Sequence, residues 1–145
     1  MTTTLSSGTT ASARYSKRSI ALAAVIAAAL TSLVNLGIAS LSLGLGTAVV
    51  PQLNPVAYIS ASAFASIVGA IGWAIIARRA RNPRLVLAIL AAGILLLSLI
   101  GLTVLAATTV ATTGWAPIVT LAIMHLTTIS IAVGTYSLLL PVQRA

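Results

Sequence analysis

Very few side chains in this sequence could take part in acid–base, nucleophilic or metal chemistry. Among its 145 residues there is one histidine, and there is no Asp, Glu or Cys. This excludes a carboxylate general acid or base, a proton-relay acid and the usual Mg²⁺ or Ca²⁺ cage. It also excludes disulfides, thiolate chemistry, Cys–zinc sites and multi-histidine metal sites. The composition therefore predicts no metal, no cofactor and no enzymatic activity.

Two polar side chains stand out because they lie within long apolar stretches. Asn35 lies about eight residues before the end of the first stretch, and His125 lies about eight residues after Pro117. In antiparallel helices that rise 1.5 Å per residue, both would lie about 12 Å below the same membrane surface. We expect them to form a hydrogen bond, with Thr31 or Thr128 nearby. The pair is either an interhelical clamp or a polar substrate or proton site, and the lack of a carboxylate weakens proton-relay chemistry.

The elements that must position these two residues are four apolar stretches, over residues 19–43, 55–77, 83–107 and 117–140. About 20 apolar residues suffice to cross a bilayer, where the backbone must satisfy its own hydrogen bonds and so forms a helix. Only 6% of the residues are charged, against about 25% in a soluble domain. The sequence predicts an all-α, integral membrane four-helix bundle with antiparallel up-down topology in residues 19–141.

Proline and asparagine mark the expected helix boundaries. Asn54-Pro55 and Asn82-Pro83 each place an Asn at the N-cap and a Pro at the first helical position, and Pro117 starts the fourth helix. Residues 44–54 are glycine-punctuated, so the first span is either a long tilted helix or a helix followed by an interfacial segment. The threonine-rich residues 108–113 are expected to form a loop.

The basic residues predict the orientation. They precede the first span, lie between the second and third, and follow the fourth, whereas loops 44–54 and 108–116 carry no charge: Arg14, Lys17, Arg18, Arg78, Arg79, Arg81, Arg84 and Arg144. Under the positive-inside rule both termini are cytoplasmic, in a multi-pass protein of the bacterial cytoplasmic membrane. The positive charge is typical of topology rather than of nucleic-acid binding, and it suits anionic lipid headgroups.

Two short tails flank the helices. Residues 1–18 are polar and basic, which predicts a disordered cytoplasmic tail, and residues 142–145 form a second short cytoplasmic tail. An organelle transit peptide and a secretory signal peptide are the alternatives for the start of the chain. The apolar run continues to Leu43, too far for a signal peptide, so an uncleaved first helix fits better.

Helix faces predict how the spans pack. Alternating steps of three and four place small or polar residues on one stripe of each of the first two helices: Ala21, Ala24, Ala28, Thr31, Asn35, Ile38 and Ser42, then Tyr58, Ser62, Ala65, Gly69 and Gly72. Such stripes let helices approach closely in lipid, so these two should pack on each other. The third span, rich in Leu and Ile, should be the most exposed to lipid. Five aromatic residues are expected at headgroup depth: Tyr15, Tyr58, Trp73, Trp115 and Tyr136.

The layout resembles a family of small four-helix bacterial membrane proteins of unknown function. The matching features are the basic flank of residues 14–18, Asn35, a proline after the first helix (Pro51 or Pro55), the basic loop of residues 78–84, and His125. The resemblance covers about residues 15–141. It implies a four-helix fold in the cell membrane and implies no activity.

The preferred function is therefore non-enzymatic. We expect a membrane protein that acts by helix–helix association with itself or with a membrane partner. The alternative is a small transporter or channel subunit. Four-helix drug exporters are similar in size, but they depend on an intramembrane acidic residue, which this chain does not contain.

Overall fold

The computed structural model describes residues 15–142. It contains four α-helices, α1 (Lys17–Gly44), α2 (Pro55–Arg79), α3 (Pro83–Thr113) and α4 (Ala116–Leu139), and one 3₁₀ turn at Pro51–Leu53. All four helices are long and apolar enough to cross a membrane. The predicted all-α four-helix fold is thereby confirmed. Residues 1–14 and 143–145, with Arg14, Arg144 and most of the predicted tails, lie outside the described residues.

The helices form an up-down bundle. Helix α1 packs most extensively on α2 and next on α4, and α3 contacts α4 and, less extensively, α2. One end of the bundle, here called the arginine end, comprises residues 15–18, 78–84 and 140–142. The opposite end, called the uncharged end, comprises residues 45–54 and 114–115. This arrangement brings the start of α1 beside the end of α4.

The helix starts follow the capping pattern only in part. The Ser16 side chain accepts a hydrogen bond from the Ser19 N–H and caps α1, so this helix begins two residues before the predicted span. Asn54 caps α2 by accepting from the Val56 N–H, as its position beside Pro55 predicts. Asn82 makes no side-chain capping bond to α3. The sequence pattern therefore located the start of α3 but not its capping contact.

The predicted loop at residues 108–113 is wrong. Helix α3 continues through this segment to Thr113 and ends at Gly114, whose φ of +72° favours glycine. The threonine hydroxyls donate back to carbonyls of their own helix, as Thr109 does to Leu105 and Thr113 does to Thr109. These bonds satisfy the hydroxyls without leaving the helix. A threonine-rich segment is therefore compatible with the last turns of α3.

The segment between α1 and α2 is not helical in continuation of α1 and packs against the bundle. The helix ends at Gly44, and a turn follows in which Gly46 has a φ of +86°. Val50 and Leu53 then bury their side chains in a core cluster with residues of all four helices. Of the two arrangements left open by the sequence, the structure has a helix followed by a distinct segment, and that segment packs against the bundle.

The buried stripes of α1 and α2 run in steps of four. In α1 they comprise Ala23, Ala27, Thr31, Asn35 and Ala39, and in α2 they comprise Tyr58, Ser62, Ser66, Ala70 and Ala74. The predicted stripes match these for part of their length, but Ala21 and Ala65 are exposed. A small residue at every fourth position lets two helices approach closely, and it explains the extensive packing of α1 on α2.

Candidate functional site

The side-chain amide of Asn35 joins three helices in the interior of the bundle. Only 3% of this residue is exposed. Its Nδ2 donates to Ser62 Oγ on α2 at 3.2 Å and to Thr128 Oγ1 on α4 at 3.0 Å. An amide has two N–H donors, and here both are used between helices. Asn35, Ser62 and Thr128 are called the polar seam below.

His125 makes a different contact from the one expected. Its ring Nδ1 lies 2.7 Å from the carbonyl oxygen of Leu121, four residues earlier on the same helix. The imidazole is only partly buried. The carbonyl of its own helix supplies a partner without crossing to α1, and the Nδ2 donors of Asn35 are already used by Ser62 and Thr128. The expected Asn35–His125 hydrogen bond is not formed, and Thr128, expected nearby, takes the place of His125.

Two buried polar atoms of this region have no hydrogen-bond partner among the described residues. They are Asn35 Oδ1 and Ser66 Oγ, one turn beyond Ser62 on α2. The nearby Thr31, fully buried, donates to the carbonyl of Ala27 in its own helix at 2.8 Å. An unpartnered buried acceptor is costly in an apolar interior. The polar seam can therefore accept a further hydrogen bond, but it offers no acid or nucleophile for catalysis.

A second cluster, called the clasp, joins the start of α1 to the end of α4 at the arginine end. Tyr15 Oη donates to the carbonyls of Leu140 (3.3 Å) and Pro141 (2.5 Å). Trp73 Nε1 donates to the same Leu140 carbonyl at 3.0 Å. These carbonyls follow the last turn of α4, where the helix offers no N–H partner. Two aromatic side chains thus complete the end of α4.

Arg78 supports the clasp from the end of α2. Its guanidinium donates to the Tyr15 carbonyl and lies 5.9 Å from the centre of the Tyr15 ring. Burial raises the pKa of the Tyr15 hydroxyl above its ordinary value, and the positive charge of Arg78 partly opposes this. The hydroxyl therefore remains a donor at neutral pH.

Tyr136, which the sequence predicts at headgroup depth, is buried inside the bundle near the end of α4. It is 3% exposed, and its hydroxyl donates to the Ser66 carbonyl on α2 at 2.6 Å. Its ring is tilted against Trp73, with 5.8 Å between ring centres. A Cβ at Gly69 would lie 3.0 Å from the Tyr136 hydroxyl. The phenol therefore lies in tight contact with position 69, where glycine leaves it the most room.

Tyr58, near the uncharged end, is also buried, in the core cluster with Val50 and Leu53. Trp115, in contrast, is largely exposed at the uncharged end. Both buried tyrosines find carbonyl or packing partners inside the bundle, so an aromatic residue near the end of a span need not face outward.

The structure places the described basic residues together at the arginine end. Lys17 and Arg18 begin α1, Arg78 and Arg79 end α2, Arg81 lies in the connection, and Arg84 lies in the first turn of α3. The chain has no acidic side chain to pair with them.

Sequence reasoning found Asn35, Ser62 and Thr128 but missed other residues of these clusters. Ser66, and the role of Trp73 as a donor to α4, depend on contacts with backbone carbonyls. Because every residue has a backbone carbonyl, the sequence does not show which one accepts the bond. The step of four from Ser62 to Ser66 was the one signal that could have indicated Ser66.

Comparison with known proteins gives one match. The model of a family described as a family of unknown function (DUF6069) matches residues 9–140. No curated protein matches the chain, and no solved structure matches it.

Proposed function

The chain belongs to the DUF6069 family of unknown function, and we propose that it is a multi-pass protein of the bacterial cytoplasmic membrane that acts by helix–helix association. Its partner is a second copy or another membrane protein. We also propose that it is not an enzyme and needs no cofactor, because its sequence lacks the carboxylates and thiols that most such sites use.

The observation that carries this proposal is the exposure of α3. In the most apolar 18-residue window of each helix, 6% of the α3 residues are buried, against 22–28% for the other three helices. Its outward side chains are large and aliphatic, as at Leu96 and Leu97. The small-residue stripes of α1 and α2 are already occupied by each other. Helix α3 therefore has the largest uncovered share of the four helices, and we propose it as the face that meets a partner.

A matched pair of single cysteines tests this. The chain has no native cysteine, and Leu97 on α3 and Phe64 on α2 are both 70% exposed. Oxidative crosslinking in native membranes should give a dimer, or an adduct with a partner, for Leu97→Cys and not for Phe64→Cys. Equal crosslinking of the two variants, or none for Leu97→Cys, would contradict association through α3.

The orientation is part of the proposal. The arginine end would face the cytoplasm, with both termini inside, because the two connections at the uncharged end have no Lys or Arg. Ala48→Cys should react with an impermeant maleimide added outside intact cells, and Ala80→Cys should not. The reverse labelling pattern would show that the orientation is wrong.

The small-transporter alternative takes its support from the polar seam. Asn35 Oδ1 is buried and unpartnered among residues 15–142, as a group awaiting a polar solute would be. Uptake assays on vesicles containing the full chain separate the two functions. Solute transport that Asn35→Leu abolishes, without loss of folded protein, would favour the transporter.

A further inference from the structure

A groove opens at the arginine end between α2, α3 and α4. Its volume is about 340 Å³. The α3 side is formed by Arg84, Leu87, Ala88 and Ala91, and Val133 of α4 lies on the opposite wall. Small alanines on α3 leave this space because they do not reach α4. The groove runs about 10 Å along α3, from Arg84 to Ala91, at 1.5 Å per residue.

The wall of the groove formed by Trp73 is fixed in place. The indole N–H donates to the Leu140 carbonyl, and its ring packs against Tyr136, which is itself bonded to α2. Rigid, preorganised walls favour binding because little freedom is lost when an occupant arrives. The rest of the lining is mainly aliphatic, so the body of the occupant must be apolar.

The charge at the mouth defines the other part of the occupant. Arg84 lies exposed in the first turn of α3, and its guanidinium donates to no group within residues 15–142. The sequence has no acidic side chain to neutralise it. The start of a helix also favours negative charge, and the Asn82 side chain does not cap this one. An anionic group is therefore the complement of this mouth.

We propose that this groove binds one anionic phospholipid, with its phosphate at Arg84 and an acyl chain between α3 and α4. The phosphate of such a lipid suits the charge of Arg84, and its acyl chain suits the aliphatic lining that continues to Ala91. An empty groove in a bilayer would lose van der Waals contact along its walls, whereas a lipid tail restores it. The lipid also supplies contacts between α3 and α4 at this end. The proposal rests on the proposed membrane location but not on association through α3.

The test uses the full chain, purified in detergent and freed of lipid. Phosphatidylglycerol and phosphatidylcholine with the same acyl chains are titrated, and bound lipid is counted by native mass spectrometry. Phosphatidylglycerol should bind more tightly. Arg84→Gln should weaken its binding about fivefold and leave phosphatidylcholine unchanged, because one arginine near a headgroup is lost. Arg81→Gln removes the same charge outside the groove and should change binding less than twofold.

A second pair of variants tests the tail. Ala91→Phe fills the groove and should weaken binding of both lipids, whereas Ala92→Phe, on the neighbouring exposed position, should not. Equal losses in Arg81→Gln and Arg84→Gln, or unchanged binding in Ala91→Phe, would overturn the site. Competition by inorganic phosphate as strong as that by phosphatidylglycerol would show an anion site without a lipid tail.

The control for location comes first. If the proposed membrane location is wrong, the expressed chain will be found in the soluble fraction of the cell before any lipid is added. A chain that fractionates with membranes but shows no preference for phosphatidylglycerol would contradict the lipid site alone.

Discussion

Helix α3 differs from the other three helices in the kind of contact that joins it to the bundle. Among residues 15–142, every side-chain hydrogen bond that links two helices joins members of the set α1, α2 and α4: Asn35 to Ser62 and Thr128, Ser42 to Thr120, and Tyr136 to Ser66. The hydroxyls of α3 donate only to carbonyls of α3 itself, as Thr103 does to Ile100. Its buried residues are the apolar Leu87, Leu102 and Ala106.

This contrast shows where the stability of the bundle lies. In a bilayer, lipid tails are as apolar as leucine, so burying leucine gives little drive for association. Small residues and interhelical hydrogen bonds do contribute, and they are concentrated on α1, α2 and α4. Substitutions within these three helices should therefore cost more than substitutions on the outer face of α3.

The largest effect is expected for Gly69→Val. The new side chain would meet the Tyr136 ring, whose hydroxyl is fixed by Ser66, so it must displace a buried aromatic residue. We expect the free energy of unfolding to fall by about 2 kcal/mol, measured by denaturant titration in mixed micelles. Gly72→Val is the control, since a Cβ at position 72 meets nothing within 4 Å. Equal losses in the two variants would contradict the close contact.

Asn35→Leu comes next. It removes two interhelical hydrogen bonds and should lower the free energy of unfolding by about 1–1.5 kcal/mol. His125→Leu loses only a bond within α4 and should change it by less than about 0.5 kcal/mol. A double-mutant cycle between Asn35→Leu and Ser62→Ala measures the coupling across α1 and α2. A larger loss for His125→Leu than for Asn35→Leu would reverse the assignment of the interhelical contact.

A smaller effect is expected at the clasp. Tyr15→Phe removes the donor to the Leu140 and Pro141 carbonyls and should cost about 0.5–1 kcal/mol. Because burial raises the pKa of this hydroxyl, the folded chain favours its neutral form. Its contribution should be present below pH 10.0 and be lost as pH rises through the raised pKa. Stability of the Tyr15→Phe variant should lack this particular alkaline step, and persistence of the full step would rule out Tyr15 as its source.

The smallest effect is expected on the outer face of α3. Leu97→Ala, at a residue that is 70% exposed, should change the free energy of unfolding of the solubilised monomer by less than about 0.5 kcal/mol. If this face binds a partner, Leu97→Ala should also reduce crosslinking through a cysteine placed at position 94 or 100 on the same outer face. A loss of monomer stability above 1 kcal/mol would show that α3 is held as firmly as the other helices.

The sequence was enough to predict four helices because length and apolar content alone decide whether a segment can span a bilayer. It was less informative about rotation. Alanine recurs at Ala23, Ala24, Ala27 and Ala28, so several stripes of α1 are small enough to pack. The stripe of α1 that packs on α2 is the one with a small residue at every fourth position, as on α2. It can be recognised only when the two helices are considered together.

The candidate site was predictable in part for a related reason. Asn35 is the one amide within an apolar span, so its burial could be anticipated. The choice of Thr128 over His125 depends on which α4 side chain already bonds to its own backbone. The role of Trp73 depends on a carbonyl, and every residue carries one, so sequence cannot single out the acceptor.

The clasp also determines when, during synthesis, the bundle can be completed. Tyr15 precedes α1, whereas the carbonyls it binds, of Leu140 and Pro141, follow α4. Synthesis runs from the N-terminus, so α1 and α2 are complete before α4, which packs on both of them, has been made. The α1–α2 hairpin must therefore form first, with the Asn35 donor to Thr128 unpaired until α4 has been made. The carbonyls of Leu140 and Pro141, made after all four helices, are thus the groups that complete the bundle.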